Sequence, residues 1–282
     1  MQTIRQSTLL REQLTALREA GGRIALVPTM GALHAGHLAL VEAAKRLADH
    51  VVVSIFVNPR QFGPNEDLDQ YPRRELADQR LLSEANVAVL WMPPVEEMYP
   101  QDFATTVSVA GITESHDGAA RPGHFDGVAT VVAKLFNQVR PDVALFGEKD
   151  YQQLAVIRRM TADLDFGIEI VGVPTQREDD GLALSSRNVY LADEDRAKAV
   201  ALPRALGVAA RDIARGGDVA AALAQARETL AKAGFEVDYV DVVREGTLEP
   251  HDLEQPSRLI AAARIGGTRL IDNLLIELKE EG

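Results

Sequence analysis

Apolar residues near the start of the chain recur at the spacing of a helix. Leu10, Leu14 and Leu17 would share one helical face, and Ser7 or Thr8 can cap the helix at its start. Two consecutive glycines then end the pattern. We therefore predict that the first long element of the chain is an amphipathic helix.

Short apolar runs without polar alternation follow, separated by stretches with helical periodicity. Such runs are typical of strands in a parallel sheet that is covered on both faces. The predicted strands span residues 23–27, 51–57, 87–91, 142–146 and 168–173. The predicted helices between them span residues 38–47, 73–85, 128–139 and 151–164. This succession predicts an α/β fold with a doubly wound, Rossmann-like parallel sheet.

The pattern changes at two places. Prolines interrupt residues 91–125, where we predict loops and a short strand that line a ligand crevice. After residue 173, Ala-rich helical stretches precede two further strands. The helical stretches span 192–216 and 218–233, and the strands span 235–243 and 269–278. We predict two domains, a Rossmann-like domain over residues 1–175 and a smaller α+β domain over residues 176–282.

The composition excludes several classes of protein. The 282 residues carry a net charge of -12, which repels nucleic acid backbones and acidic membrane surfaces. The absence of cysteine excludes disulfides, zinc–thiolate sites and thiol nucleophiles. The longest apolar run, 51–57, is far shorter than the roughly 20 residues that cross a bilayer as a helix, and no export signal is visible. We expect a cytoplasmic protein that binds neither nucleic acid nor a membrane.

A glycine-containing loop at residues 28–37 connects the first predicted strand of the sheet to a helix. Free backbone N–H groups and the positive end of the helix dipole make such a turn suitable for phosphate, and Gly31 and Gly36 allow close approach of the backbone. The loop lacks the Gly-x-Gly-x-x-Gly pattern of dinucleotide sites and the Gly-Lys-Ser/Thr ending of a P-loop. The sequence therefore predicts a phosphate site of another type.

Two histidines lie at the end of this loop. His34 and His37 are three residues apart, so in a helix both imidazoles would project from one face and could donate to one triphosphate. The two rings could instead cap the helix or face solvent. A metal site is a third interpretation, although the His-Glu-x-x-His arrangement of zinc hydrolases is absent.

Two later loops carry further candidates. Lys149 lies just after a predicted strand, where it could neutralise phosphate charge, and Asp150 could orient it or bind magnesium. A surface ion pair is the alternative. Ser185, Ser186 and Arg187 could form a phosphate clamp on a loop that closes over ligand, or a helix cap with a turn.

The early His-x-Gly-His turn and the late Ser-Ser-Arg loop resemble the two signatures of nucleotidylyltransferases and class I aminoacyl-tRNA synthetases. The chain more closely resembles the pantothenate synthetase family, whose motifs appear in family order. These motifs cover residues 28–37, 54–67, 71–73, 121–128, 146–150 with 152–153, and 184–188. Residues 234–239 and 269–273 resemble the C-terminal domain of the family less distinctively.

The resemblance implies a two-step condensation. ATP and (R)-pantoate give pantoyl adenylate and pyrophosphate, after which β-alanine attacks the acyl carbon and releases AMP and pantothenate. Residues 1–175 would then be the catalytic domain that binds ATP and pantoate, and residues 176–282 the lid. Magnesium should accompany ATP, with ligands that the sequence does not identify. The family also implies a homodimer.

The resemblance further assigns roles to individual residues. ATP would be bound by Met30, Gly31, Ala32, Leu33, His34, Ala35, Gly36, His37, Gly147, Glu148, Lys149, Asp150, Gln176, Leu184, Ser185, Ser186 and Arg187. Pantoate would be bound by Asn58, Gln61 and Gln153, and β-alanine by Gln61, Tyr71, Arg121 and His124. The catalytic group would comprise His37 as the acid, His34, Lys149, Ser185, Ser186 and Arg187.

Three other functions stay open at this point. An adenylyltransferase could transfer AMP to a phosphorylated acceptor, but such a site needs basic residues where this chain has Gln61 and Gln153. A synthetase that charges tRNA needs an extended basic surface, which the net charge of -12 disfavours. A nucleotide sensor that catalyses no reaction would need only the phosphate-binding turn.

Overall fold

The computed structural model describes residues 1–64, 66–252 and 254–277. Asn65, which belongs to one of the motifs above, and Leu278, the last residue of a predicted strand, lie outside these residues. The chain divides into two compact units. The first contains residues up to 148 together with 156–174, and the second contains 149–155 together with the described residues from 175 onward. A short segment from the middle of the chain thus packs with the C-terminal part.

The first unit is built on a parallel sheet. Its strands are β1 (Gln2–Ile4), β2 (Ile24–Thr29), β3 (His50–Ile55), β4 (Val89–Trp91), β5 (Val143–Gly147) and β6 (Glu169–Val173). They lie in the order β1-β4-β3-β2-β5-β6, and every neighbouring pair is parallel. The chain proceeds from β2 to β3 on one side and later adds β5 on the other side. In open sheets of this kind, ligands bind outside the carboxyl ends of the strands at such a reversal.

Helices follow the strands of this sheet. They are α1 (Ser7–Glu19), α2 (Ala35–Leu47), α3 (Glu75–Glu84), α4 (Val95–Met98), α5 (Asp117–Ala120), α6 (His124–Val139) and α7 (Tyr151–Asp163). Short 3₁₀ helices span Pro59–Gln61 and Glu148–Asp150. On one face of the sheet, Leu40, Val41 and Ala44 of α2 pack against buried residues of β2, β3 and β5. Burial of these apolar side chains stabilises the sheet that holds the site.

The second unit combines helices with an antiparallel sheet. Its elements are a 3₁₀ helix at Ser186–Tyr190, α8 (Asp193–Ala199), α9 (Ala201–Ala214), α10 (Val219–Lys232), β7 (Glu236–Arg244), β8 (Ser257–Ile265) and β9 (Thr268–Ile276). The sheet order is β7-β8-β9. Leu206, Ile213 and Leu230 of the helices form a core with Leu259 and Leu270 of the sheet. One face of the sheet is therefore covered by α9 and α10.

The predicted fold class is confirmed, since all five predicted strands of the parallel sheet are present. The short strand predicted within residues 91–125 is wrong: among the described residues this stretch contains α4 and α5 after the end of β4. The helix predicted at 192–216 is two helices that meet at Val200, just before Pro203, whose ring cannot occupy a helix interior without breaking a hydrogen bond.

No helix among the described residues is long and apolar enough to cross a membrane.

Candidate active site

The loop after β2 is held by a buried carboxylate on α3. The Asp78 side chain accepts hydrogen bonds from the backbone N–H groups of Ala32, to Oδ2 at 2.9 Å, and Leu33, to Oδ1 at 2.9 Å. Gly31 adopts a φ of 87°, and a Cβ there would lie 3.1 Å from Asp78 Oδ2 and from Ile55 Cγ2. Glycine thus allows the turn, and Asp78 fixes its shape.

The two histidines close the first turn of α2. The His34 Nδ1 atom accepts from the N–H of Gly36 at 3.1 Å, and the His37 Nδ1 atom accepts from the N–H of His34 at 3.3 Å. The ring centroids are 4.1 Å apart. Because each Nδ1 accepts, the proton of each neutral imidazole lies on Nε2. The predicted capping role is thus filled by the two Nδ1 atoms, and the proton of each ring lies on Nε2.

The expectation of free backbone N–H groups in this loop needs correction. The N–H groups of Ala32 and Leu33 bind Asp78, and that of Gly31 donates to Thr29 Oγ1 at 3.2 Å. Those of His34 and Gly36 bind the histidine rings. These five backbone N–H groups are therefore already hydrogen-bonded within the chain.

The loop after β3 brings two amide side chains together. Asn58 is buried and donates from Nδ2 to Gln61 Oε1 at 3.0 Å and to the carbonyl of Gly127 at 3.1 Å. Gln61 donates in turn from Nε2 to the Met30 sulfur at 3.1 Å. The close approach requires glycine at 127, because a Cβ there would lie 2.2 Å from the carbonyl oxygen of Arg60. Gln61 thus links Met30, which was assigned to ATP, to Asn58, which was assigned to pantoate.

Tyr99 supports this pair, although no sequence motif indicated it. Its hydroxyl donates to Asn58 Oδ1 at 2.9 Å. Burial raises the pKa of Tyr99 to about 12, against the opposing effect of the nearby Arg60 charge. The phenol therefore keeps its proton and orients Asn58. Its place in a proline-interrupted stretch gave no periodic signal.

A second polar cluster contains Arg121 and His124. Arg121 forms a bidentate ion pair with Glu66, from Nε at 2.7 Å and from NH2 at 2.6 Å. It also contacts His124 Nε2 at 2.9 Å through NH1, and His124 Nδ1 contacts the carbonyl of Gln61 at 2.8 Å. A carbonyl only accepts and a guanidinium only donates, so the neutral ring carries its proton on Nδ1.

Electrostatics in this cluster favour one protonation state. Burial, and then the Arg121 charge, lower the pKa of His124 to about 4. Burial alone would raise the pKa of Glu66, but its hydrogen bonds from Arg121 outweigh this and leave the pKa below the ordinary value. At neutral pH the cluster therefore consists of a carboxylate, a guanidinium and a neutral imidazole. Tyr71, predicted beside them, is buried and packs edge-on against Phe62 with centroids 5.9 Å apart.

Strand β5 ends at Gly147, and both Gly147 and the next residue, Glu148, are partly buried residues of the first unit. Lys149 and Asp150 follow them and belong to the second unit. Lys149 Nζ lies 3.9 Å from Asp150 Oδ2, at the limit of an ion pair, and the Lys149 side chain is 20% exposed. Gln153, two residues into α7, is partly buried.

The loop at 176–188 is shaped by its own backbone and by β9. The Leu184 N–H donates to the Gln176 carbonyl at 2.9 Å, and Ser185 Oγ accepts from the Arg187 N–H at 3.2 Å, which caps the 3₁₀ helix Ser186–Tyr190. Arg177 binds the buried Asp272 through two hydrogen bonds of 2.8 Å. These bonds raise the pKa of Arg177 above its ordinary value. The cap predicted as an alternative is thus present, and it fixes the backbone that carries Arg187.

The two compact units divide the predicted residues between them. The group in the first unit contains Met30, Gly31, Ala32, Leu33, His34, Ala35, Gly36, His37, Asn58, Gln61, Tyr71, Arg121, His124, Gly147 and Glu148. The group in the second unit contains Lys149, Asp150, Gln153, Gln176, Leu184, Ser185, Ser186 and Arg187. Within the described part of the chain, no cluster of three or more His, Cys, Asp or Glu residues could hold a metal ion.

Comparisons with known proteins identify the family. The model of the pantoate–β-alanine ligase family matches residues 2–275. Pantothenate synthetase from Rhizorhabdus wittichii is 65% identical over 98% of this chain and 99% of its own length, and that from Sphingopyxis alaskensis is 62% identical over 97% and 99%.

Solved structures agree with these sequence matches. The crystal structure of pantothenate synthetase from Thermus thermophilus has a TM-score of 0.92 at 53% identity and covers 98% of this chain and 99% of its own. Pantoate–β-alanine ligase from Francisella tularensis, complexed with β-γ ATP and β-alanine, has a TM-score of 0.83 at 33% identity, with 99% of each chain covered. These matches support an amide-forming ligase over an adenylyltransferase. The chain belongs to the pantoate–β-alanine ligase family.

Proposed function

We propose that this chain joins (R)-pantoate and β-alanine in two steps at the residues described above. In the first step, a carboxylate oxygen of pantoate bonds to the α-phosphorus of ATP and pyrophosphate leaves. In the second, the neutral amine of β-alanine bonds to the acyl carbon, AMP leaves with the electrons of the broken acyl–oxygen bond, and the nitrogen releases one proton as the amide forms. The observation that carries the proposal is the ordered amide of Gln61, which contacts Met30 in the loop that ends with His34 and His37. The chain that carries this amide matches the ligase family along its length.

The arrangement of Gln61 suits a carboxylic acid with hydroxyl groups. Asn58 holds Gln61 Oε1, which orients the amide, and the Gln61 Nε2 group donates to the Met30 sulfur, a weak acceptor. A carboxylate is a much better acceptor, so pantoate would displace the sulfur contact at little cost. Because the amides of Gln61 and Gln153 are neutral, they would bind the carboxylate without removing its nucleophilicity. Asn58 would complete this pantoate site.

Charge stabilisation would accelerate the first step. The β- and γ-phosphates gain charge as pyrophosphate leaves, and donors held in advance near that charge lower the barrier. In the first unit, His34 and His37 would donate from Nε2, with His37 as the acid. Lys149, Ser185, Ser186 and Arg187 would supply the remaining donors, and the backbone of residues 30–37, 147–150, 176 and 184–187 would surround ATP.

The cluster around Arg121 would bind β-alanine in the second step. Gln61, Tyr71, Arg121 and His124 are assigned to it. The neutral state of His124 and the ion pair between Arg121 and Glu66 leave the cluster with no net charge at neutral pH, which suits a zwitterion. The structure of the Francisella tularensis relative contains β-γ ATP and β-alanine, which supports the proposal that this chain binds ATP and β-alanine.

Several properties stay predictions. Magnesium would arrive as part of the ATP substrate, held mainly by phosphate oxygens and water, as is usual for this hard cation. The roles of residues 1–175 as catalytic domain and 176–282 as lid, the homodimer, and a cytoplasmic location are further predictions, supported by the family resemblance and the composition.

Pyrophosphate exchange tests the proposal. Labelled pyrophosphate should enter ATP when pantoate is present and β-alanine is absent, because the first step is reversible. Equal exchange with unrelated carboxylic acids, or exchange without any acid, would refute the assignment of pantoate. Lys149→Ala should slow the exchange by about 10² to 10³ through lost charge stabilisation.

A further inference from the structure

One face of the antiparallel sheet in the second unit carries two buried polar side chains. In the register of β8 and β9, Ile260 lies opposite Asn273, so Arg258 of β8 and Asn273 of β9 share the face that α9 and α10 do not cover. Arg258 is 6% exposed and Asn273 is 4% exposed. Polar groups so deeply buried destabilise a protein unless they are hydrogen-bonded, so their partners indicate their role.

The partners of Asn273 lead to the candidate active site. Its Oδ1 atom accepts a hydrogen bond from Arg258 NH1 at 2.7 Å, and its Nδ2 group donates to the backbone carbonyl of Lys149 at 3.0 Å. A guanidinium only donates and a carbonyl only accepts, so this pattern fixes the orientation of the amide. The Asn273 side chain therefore ties Lys149 to the sheet.

Arg258 is held just as firmly. Its NH2 group binds Glu245 Oε1 at 3.0 Å, and its guanidinium lies 4.1 Å from the centre of the Tyr151 ring. The Tyr151 hydroxyl accepts from the N–H of Gly246 at 2.8 Å. The segment that contains Lys149 and Tyr151 is thus bound at two points, one of them the carbonyl of Lys149 itself.

We propose that Asn273 is a positioning residue for the ammonium of Lys149 during adenylation. This inference rests on the proposed role of Lys149. Lys149 lies in a single 3₁₀ turn, and its contact with Asp150 at 3.9 Å is too long to fix the side chain. The hydrogen bond from Asn273 anchors the backbone from which the side chain extends. Charge stabilisation depends on position, and a displacement of about 1 Å can lower a rate roughly 10²-fold.

The test is a double-mutant cycle measured by pantoate-dependent pyrophosphate exchange. Asn273→Asp keeps the acceptor for Arg258 but replaces the N–H donor by an oxygen that repels the Lys149 carbonyl. We expect it to lower the maximal exchange rate by roughly 10- to 100-fold. In a Lys149→Ala chain, the same substitution should change the rate less than twofold, because the group it positions is gone.

Asp238→Asn is the matched control. Asp238 of β7 forms an ion pair with Arg269 at the other end of the same sheet, at 2.7 Å. Removing this pair perturbs the sheet by a comparable exchange of side chains without touching the Lys149 segment. The control should keep the wild-type exchange rate, and Asn273→Asp should unfold on heating within a few degrees of it.

The outcomes separate this inference from the proposed function. An equal loss in both backgrounds, or a wild-type rate for Asn273→Asp, would overturn the positioning role. A near-normal rate for Lys149→Ala alone would instead refute the proposed role of Lys149. If Asn273→Asp does not fold, Asn273→Ala replaces it in the same cycle. Failure of both variants to fold would count against the proposal, because it would make Asn273 a structural residue.

Discussion

The carboxylate of Asp78 offers the sharpest prediction about the loop of the candidate site. It is 2% exposed and accepts two hydrogen bonds from the backbone of the loop, each at 2.9 Å. Asp78→Asn keeps the shape of the side chain but replaces one acceptor by an NH₂ group that faces a backbone N–H. The substitution therefore removes one charge-assisted hydrogen bond and leaves a buried donor without a partner.

The size of the effect follows from these contacts. A hydrogen bond to a charged group contributes about 1.5–3 kcal/mol, so we expect the free energy of unfolding of the first unit to fall by about 2–3 kcal/mol. With a typical dependence on urea of about 2–3 kcal/mol per molar, the unfolding midpoint should fall by roughly 1 M. The loop should also become more mobile, and the KM for ATP should rise.

The single tryptophan provides the assay. Trp91 is the only tryptophan of the chain and is fully buried in β4, so its fluorescence reports unfolding of the first unit. Urea titrations of the wild type, Asp78→Asn and the control Glu84→Gln should be compared. Glu84 lies exposed on the same helix. If the midpoint of Asp78→Asn stays within about 0.2 M of the control, the loop does not depend on this carboxylate.

Further predictions concern the two polar clusters of the first unit. Gly127→Ala should destabilise this unit by about 1–3 kcal/mol, because the added methyl group overpacks against the backbone near Arg60. Tryptophan fluorescence in urea measures this loss, and an unchanged midpoint would show that α6 can shift freely. The pKa of His124 is lowered to about 4. The unfolded chain therefore binds this proton more readily, and stability present above about pH 6.5 should be lost as the pH falls through about 4. Between pH 7 and pH 4.5, the unfolding free energy of the wild type should fall by about 2 kcal/mol more than that of His124→Gln. An equal fall in both proteins would contradict the neutral state assigned to His124. Tyr99→Phe should raise the KM for pantoate several-fold through loss of the bond to Asn58, and an unchanged KM would show that Asn58 is oriented without it.

The sequence revealed the parallel sheet because its central strands are buried apolar runs that no helix periodicity explains. It did not reveal β8, whose consecutive alanines favour helices. In the folded chain, Ala261 and Ala263 are small enough to pack beneath α9 and α10, and this packing outweighs the local preference. The three-residue β1 was also missed, because only Ile4 of this edge strand is buried.

In the candidate site, too, the sequence indicated some residues and missed others. Strand ends and motif spacing indicated His34, His37 and Lys149, since these features are local in the sequence. The residues that hold them are distant along the chain: Asp78 lies more than 40 residues from the loop it binds, and Asn273 more than 120 from Lys149. Only the position of Asp78 four residues before the buried Leu82, on the inner face of α3, could have suggested its burial.

In the proposed first step, a carboxylate oxygen of pantoate attacks the α-phosphorus of ATP. This attack can be followed with pantoate labelled with ¹⁸O in its carboxylate and incubated with the enzyme, ATP and β-alanine. Because the bridging oxygen of the adenylate leaves with AMP, mass spectrometry should find one ¹⁸O atom in AMP for each pantothenate formed. Unlabelled AMP, or label in inorganic phosphate alongside ADP, would contradict the account.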